Sequence, residues 1–475
     1  MIQSSKELEV IVLAAGKGTR MRSCLPKVLH RLCGRTLLER TIRSVESLSN
    51  RIVVVVGFAA EKVIAEMQHL QTSTAETQAL IPALQTEQKG TGHAAMVGLE
   101  AVSSEADTIL ILPGDIPLIS SDVLQTFIAS SKQADAAVSV LSCVLVNPYG
   151  FGRIIRNANG ECLGIVEQRD CTPEQVKITE INSSIYLVKR DFLVSSLKNL
   201  RPDNQQGELY LTDIVGQAVS QKLPVHVFCT ENFMAVTGAN SRSELSELER
   251  YRRKELIEQM MDRGVSFENP ETTYLEEDVE IGIDSYVGAN TRLLGRVRIG
   301  ENVTIEGDSL IANSEISSGT LLKLGCYIRD SIVGNNCEIG PFAQLRPETS
   351  VGSNSRIGNF VELKKAKLGN SVKANHLSYI GDAEVGAQSN IGAGTIFCNY
   401  DGVKKSKTTL GESVFVGSNS VLVAPLQIGS NSYVGAGSAV TKDVPEGSLA
   451  IARGKQSNIE GWVDKRNRKQ VTEKA

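Results

Sequence analysis

Hydrophobic positions along this chain obey two different rules, and the change falls near residue 240. In the first part, short apolar runs alternate with longer amphipathic ones. Residues 9–13, 51–56 and 108–112 read as buried strands, while residues 37–48 and 94–102 carry apolar side chains at helical spacing. Such alternation predicts an α/β sheet with parallel strands, and sheets of that kind gather ligands at the carboxyl ends of their strands. Residues 241–263 contain neither proline nor glycine and are highly charged. Leu245, Leu248, Tyr251, Leu256, Met260 and Met261 recur through them, so the segment reads as one connecting helix stopped by Gly264.

Beyond the helix the period becomes six. Ile281, Val287, Leu293, Ile299, Ile305 and Ile311 form one run. Val333, Ile339, Leu345, Val351, Ile357 and Leu363 form a second, and Leu410, Val416, Leu422, Ile428, Val434 and Val440 a third. Neither a helix nor a lone strand has this period. It predicts a solenoid in which each hexad makes one flat side, its aliphatic residue points inward, and three hexads close a coil. The glycine that often follows the aliphatic residue is expected to ease the chain around the corner. Residues 397–409 interrupt the period as an extruded loop carrying Lys404, Lys405 and Lys407. The tail after Gly461, with Lys465, Arg466, Arg468 and Lys469, reads as disordered.

Length agrees with this division, because 475 residues exceed the ~250–300 at which one core stops growing. The expected parts are residues 1–240, a linker at 241–263, and residues 264–475. A net charge of −4 gives no general attraction to nucleic acid or to an anionic membrane surface. No apolar run approaches the ~20 residues of a membrane span, and residues 1–7 lack the pattern of a secretion signal. The chain is therefore expected in the cytosol. Its nine cysteines, an odd number without a CxxC pair, read as free and mostly buried thiols rather than as a zinc site.

Three glycine-rich turns carry candidate chemistry. The first strand runs into Ala14-Ala15-Gly16-Lys17-Gly18-Thr19-Arg20, with Arg22 and Lys27 close behind. Backbone N–H groups of such a turn can approach phosphate oxygens. The turn is neither a GxxxxGK[ST] phosphate loop nor a dinucleotide GxGxxG, since Arg22 stands at the third glycine position. The second turn is Pro113-Gly114-Asp115, which puts a carboxylate at a strand end, where Mg²⁺ with its preference for oxygen would be held beside phosphates. The third is Gly90-Thr91-Gly92-His93 ahead of a helix. In the solenoid, His376 is the single histidine after the linker. The hexad phase puts Ala374 and Ile380 inward and His376 outward, where an imidazole could accept a proton from an attacking amine.

Leu13-Ala14-Ala15-Gly16-Lys17-Gly18-Thr19-Arg20-Met21 with Pro26-Lys27 resembles the signature of sugar-phosphate nucleotidyltransferases. With Gln85, Gly90-Thr91-Gly92-His93-Ala94, Asn147-Pro148 and Gly150-Phe151-Gly152-Arg153, the chain resembles the bacterial bifunctional N-acetylglucosamine-1-phosphate uridyltransferase/glucosamine-1-phosphate N-acetyltransferase family. The resemblance extends over nearly all residues. It implies a Rossmann-like nucleotidyltransferase domain, a linker helix and a left-handed parallel β-helix.

The resemblance further implies acetyl transfer from acetyl-CoA to glucosamine-1-phosphate, then uridylyl transfer from UTP to N-acetylglucosamine-1-phosphate, giving a cell-envelope precursor. Leu13, Ala14, Ala15 and Gly16 would hold the nucleotide, with Gln85, Gly90 and Thr91 near the uracil and Gly114 beside the metal carboxylate. Arg20 and Lys27 would stabilise phosphates. Asp115 and Asn240 would hold Mg²⁺, and Gly152, Glu167 and Asn182 would orient the sugar. In the solenoid, His376 would be the general base, and Arg346, Lys364, Tyr379 and Asn390 would bind glucosamine-1-phosphate. Ala393, Asn399, Tyr400, Lys405, Ser418, Ala436 and Arg453 would meet acetyl-CoA. A homotrimer with sites between subunits is implied too. Pro113, where the family often has tyrosine, and Asn182-Ser183-Ser184, in place of Asn-Thr-Gly, depart from the family pattern. The alternative readings are a single-function nucleotidyltransferase, or a regulatory or assembly protein, in which the β-helix only oligomerises or regulates.

Overall fold

The computed structural model describes residues 8–73 and 79–472, so the polar leader 1–7 lies outside the described residues. The chain divides into two compact units, after Arg253. The first is built on nine strands: β1 (Leu8–Leu13), β2 (Arg51–Val56), β3 (Ala79–Leu84), β4 (Thr108–Pro113), β5 (Val138–Val144), β6 (Arg153–Arg156), β7 (Cys162–Val166), β8 (Glu180–Lys189) and β9 (Val225–Thr230). Their spatial order is β9-β5-β8-β4-β1-β2-β3, with the β6–β7 hairpin attached to β8. The central strands alternate strictly. Val10, Val12, Val54 and Leu110 enter one apolar cluster, and Ile11, Val53, Val55 and Ile111 enter another. Both faces are covered, which is why Val10–Leu13, Ile52–Val56 and Ile109–Leu112 are unbroken apolar runs.

The sheet is not wholly parallel. Strand β8 runs antiparallel to both β4 and β5. A parallel strand needs a crossover, usually helical. Between β5 and β8 the chain makes only the β6–β7 hairpin and one 3₁₀ turn, so it re-enters the sheet in the opposite sense. The connecting helix, Arg242–Asp262, forms as expected and is followed by Gly264 at φ 90°.

The second unit is the solenoid. Strands pair in parallel 18 residues apart in full coils, as Tyr286 with Thr304, or 17 apart in shorter ones, as Leu310 with Tyr327. Inward residues stack in three columns. One contains Ile311, Ile328, Leu345, Leu363, Ile380 and Phe397, and the next Ile316, Val333, Val351, Leu368, Val385 and Leu410. The third contains Leu322, Ile339, Ile357, Ala374, Ile391 and Val416. All are buried. Ile281, at the start of the first run, is only partly buried.

The glycines have a different task from the one expected. Gly282 and Gly288 are absent from the positions with positive φ; the left-handed turns fall two residues later, at Asp284 and Asn290, both with φ 58°. A Cβ on Gly282 would lie 2.6 Å from the carbonyl carbon of Gly300, and one on Gly288 2.5 Å from that of Glu306. Glycine is there so that the next coil can stack, and Asp or Asn, which tolerate the left-handed region, turn the corner.

Two further expectations are corrected. The tail is helical over Trp462–Thr472, with Asp464 in its first turn and the Arg466 guanidinium over the Trp462 ring at 5.4 Å to its centroid. Its Lys, Arg and Gln residues are good helix formers, and the basic residues follow the acidic one as the helix dipole favours. All nine cysteines are free, but only Cys33, Cys143, Cys326 and Cys337 are buried, while Cys24 and Cys229 are exposed. No helix among the described residues is long and apolar enough to cross a membrane.

Candidate active sites

In the first unit, the ends of β1 and β4 open onto two adjoining cavities of 320 and 450 Å³ that share Leu13, Gly16, Arg20, Asp115 and Asn240. The smaller also contains Ala14 and Lys27. Lys27 Nζ forms an ion pair with Asp115 and donates to Asn240 Oδ1 at 2.6 Å, and both charged side chains are largely buried. Local structure fixes each part. Gly18 is left-handed, and a Cβ there would lie 2.6 Å from Lys27 Cβ. The Asn240 backbone N–H donates to Glu244 Oε2 at 2.8 Å, and Glu244 N donates to Ser241 Oγ at 3.2 Å, so the cap of the connecting helix positions Asn240.

The larger cavity is lined by Ala15, Gln85, Gly90, Thr91, Gly152, Glu167 and Asn182. Gly90, at φ 102°, packs where a Cβ would be 2.6 Å from Leu209 O, and Thr91 Oγ1 accepts from Leu211 N at 3.0 Å. Asn182 sits at a bulge in β8 and donates from Nδ2 to Tyr186 OH at 2.7 Å. Burial pushes the Glu167 carboxyl up, and the carboxylates of Asp170 and Asp213 add to the effect.

In the second unit, His376 occupies an exposed corner, and its Nδ1 lies 2.8 Å from Asn359 Oδ1, one coil earlier. Since that oxygen can only accept, Nδ1 is the donor, and in the neutral ring Nε2 is the nitrogen left to take up a proton. The same corner position in the following coils holds Ala393, Ser418 and Ala436. Gly394 N donates to His376 O, Asn419 N to Ala393 O and Gly437 N to Ser418 O. With coils ~4.8 Å apart, this column of small residues extends ~14 Å from His376. Arg453 Nη1 donates to Ala436 O at 2.7 Å at its far end.

On the next side lie Arg346, Lys364, Tyr379, Asp382 and Asn399. Asn399 Nδ2 donates to Asp382 Oδ2 and lies 3.5 Å from Tyr379 OH. Lys405 comes down from the extruded loop to touch Lys364, and this contact, reinforced by Arg346, lowers the affinity of Lys364 for its proton. Arg346 Nη1 is paired with Glu362 Oε1 at 2.6 Å, so Lys364 and Lys405 are the uncompensated cations that make this surface suited to an anion.

Two family models match the chain: the MobA-like NTP transferase domain over residues 10–174, and the six-repeat bacterial transferase hexapeptide over residues 330–365. Among curated relatives, the bifunctional protein GlmU of Saccharophagus degradans is 45% identical, with 96% of this chain and 99% of that protein covered. Those of Marinobacter nauticus and Clostridium botulinum are 43% and 42% identical, each with 96% of this chain and 98% of the relative covered. The chain belongs to the bifunctional GlmU family.

A GlmU-family chain is an enzyme that joins a nucleotidyltransferase to a hexapeptide-repeat acetyltransferase, which removes the readings in which the β-helix is only a scaffold. Of the residues that the family resemblance nominated in the first unit, Leu13, Ala14, Ala15, Gly16, Arg20, Lys27, Gln85, Gly90, Thr91, Asp115, Gly152, Glu167, Asn182 and Asn240 all line the cavities. Gly114 does not; its amide donates to Leu13 O at 2.9 Å behind the wall. Lys17 is exposed and lines neither cavity. Both departures from the GlmU pattern, Pro113 and Ser183-Ser184, lie in the wall, and Ser184 is left-handed at φ 64°. In the second unit, Asn390 lies on the side that carries Lys373, while Lys364 and Tyr379 lie on another, with the His376 corner between them.

Sequence reasoning missed Gln88, whose Nε2 holds Ala15 O at 2.8 Å, and Glu208, which lines the larger cavity. It also missed Asn359 and Asp382. The one available signal for Gln88 was its place inside the Gln85–Gly90 turn.

Proposed function

We propose that this chain acetylates glucosamine-1-phosphate with acetyl-CoA in its second unit. It then couples the resulting N-acetylglucosamine-1-phosphate to UTP in its first, releasing pyrophosphate and forming UDP-N-acetylglucosamine. The observation that carries the reading is His376 at the head of the glycine-flanked column Ala393, Ser418 and Ala436. The column offers backbone and little side chain, a track for the extended arm of an acyl thioester. At its head a bare imidazole nitrogen can take the proton of the attacking amine as the N–C bond forms and the thiolate leaves. Arg346, Lys364 and Lys405 would receive the sugar phosphate, and Tyr379, Asn390, Asn399, Tyr400 and Arg453 would complete the two substrate contacts.

In the first unit, a phosphate oxygen of N-acetylglucosamine-1-phosphate would attack the α-phosphorus of UTP in line with departing pyrophosphate. The turn from Leu13 to Gly16 would hold the nucleotide, while Arg20 and Lys27 offset the charge that repels the nucleophile. The residues fit Mg²⁺. The Asp115 carboxylate and the Asn240 amide oxygen both reach the Lys27 ammonium, so two hard oxygens already converge on one cation. Asp115 and Asn240 would hold the ion, which would supply positive charge to offset that of the phosphates. Gly152, Glu167 and Asn182 would fix the sugar.

A homotrimer would complete the second site. His376 stands on a convex corner, which cannot enclose a ligand alone. Beside it Phe342, Phe360 and Leu377 are 49%, 58% and 58% exposed, at φ 53°, 54° and 50°. Bulky apolar residues in the left-handed region are costly, and a second copy of the chain covering this row would account for their exposure. Nine unpaired cysteines suit the reducing cytosol.

The test is omission. The chain is incubated with glucosamine-1-phosphate, acetyl-CoA, UTP and Mg²⁺, each left out in turn, and free thiol, pyrophosphate and product mass are measured. His376→Ala should abolish thiol release and spare pyrophosphate release from supplied N-acetylglucosamine-1-phosphate. Loss of both, or of neither, refutes the assignment.

A further inference from the structure

Gln85 is 4% exposed and lies at the end of β3, in the wall of the larger cavity. Both uses of its amide nitrogen are visible. Nε2 lies 3.0 Å from His93 Nδ1 and 3.4 Å from Gly90 O. His93 is in the first turn of the helix Thr91–Glu100, which the left-handed Gly90 starts, so backbone geometry sets the ring against the amide.

We propose that His93 determines the nucleobase preference of the nucleotidyl site by locking the orientation of the Gln85 amide. The proposal rests on the reading above that the base lies against Gln85. An amide can be turned over at no cost in shape, and the two orientations present opposite chemistry. Gly90 O and an imidazole Nδ1 that accepts both require the NH₂ group, so Oε1 is the atom left for the cavity. A carbonyl oxygen there accepts from the N3–H of uracil. Cytosine has a bare N3, and two acceptors would then face each other in a buried place. Leaving such groups unpaired is the discrimination that hydrogen-bonding sites achieve best. Gln85 touches the base; His93 is a positioning residue that acts through it.

The experiment compares UTP with CTP, as kcat/KM for pyrophosphate release from full-length protein with N-acetylglucosamine-1-phosphate. In His93→Leu nothing accepts from Nε2 at that place. The UTP-to-CTP ratio should fall by about ten- to a hundredfold, the span of one unpaired buried group. In His93→Asn an amide oxygen can take the place of Nδ1, and most of the ratio should return. Acetyl transfer should be unaltered in both. If His93→Leu slows UTP and CTP by the same factor, the residue is structural only and the proposal is overturned. If Gln85→Ala leaves the ratio at its original value, the base does not lie against Gln85. In that case the reading of the nucleotide cavity fails with it.

Discussion

The contact between Asn359 and His376 permits a sharp test, because one isosteric change reverses its electrostatics. Asn359→Asp keeps the 2.8 Å hydrogen bond to Nδ1 and adds a negative charge beside the ring. The corner is exposed, so water screens the pair. At water's dielectric constant, unit charges ~2.8 Å apart attract by about 1.5 kcal/mol, close to one pH unit. The sign follows from the chemistry. A base must be unprotonated to act, and the new carboxylate favours the protonated ring. The acid limb of the pH–rate profile for acetyl transfer should therefore move upward by about one unit, with activity recovered on the alkaline plateau. Asn359→Ala, which removes the anchor without adding charge, should lower kcat about tenfold, the worth of one hydrogen bond. The limb should stay in place and the KM for acetyl-CoA should change little. The assay is thiol release from acetyl-CoA, followed as a rate profile from about pH 5.5 to about pH 9. A limb that stays in place in Asn359→Asp, or moves to lower pH, would refute the idea that His376 is the base and that Asn359 holds its tautomer.

Four further outcomes follow from the geometry. Asp115→Ala should reduce pyrophosphate release by about two orders of magnitude or more, as for other preorganised charge contacts, while the acetyl-transfer rate stays intact; near-normal nucleotidyl transfer would remove the carboxylate from the site. Ser184→Gly relieves a left-handed serine at φ 64° and should stabilise the first unit by about 1 kcal/mol in urea melts. Burial and the Asp170 carboxylate push the Asp213 carboxyl up, so the folded protein holds that proton more tightly than the unfolded chain. The resulting stability is fully present below the ordinary carboxylate range of about pH 4 and is lost as pH rises through the raised folded value. Asp213→Asn should accordingly raise the melting temperature at pH 7, and the gain should vanish in acid. Phe360→Asn puts a residue that tolerates φ 54° at the exposed corner; light scattering should report smaller particles, with acetyl transfer lost and uridylyl transfer kept.

What the sequence disclosed and what it hid both trace to the corners of the solenoid. The inward columns were legible because every side supplies one apolar residue, nearly always aliphatic, and burial enforces it. Asn359 was not, for an arithmetical reason. A coil of three hexads puts the neighbour of His376 18 residues back, at Gly358, whereas the coil here has 17 because Leu363 to Leu368 is one residue short. Lys27 with Asn240 was hidden differently: 213 residues separate them, and only the order of strands brings them together. The shortened sides are not scattered. The steps Ile311–Ile316, Ile328–Val333, Leu363–Leu368 and Ile380–Val385, together with the long step Phe397–Leu410, all join the same two inward columns. Every departure from the hexad between residues 281 and 440 thus falls at one corner, and the other two keep their count. This is what allows the lysine loop to be extruded without cost to the His376 corner. Ala393 and Ser418 are 25 residues apart, yet Asn419 N still donates to Ala393 O at 2.7 Å. A side that can lengthen or shorten leaves the small-residue column in register, so the loop that brings Lys405 to Lys364 and the column below His376 can vary independently on one rigid frame.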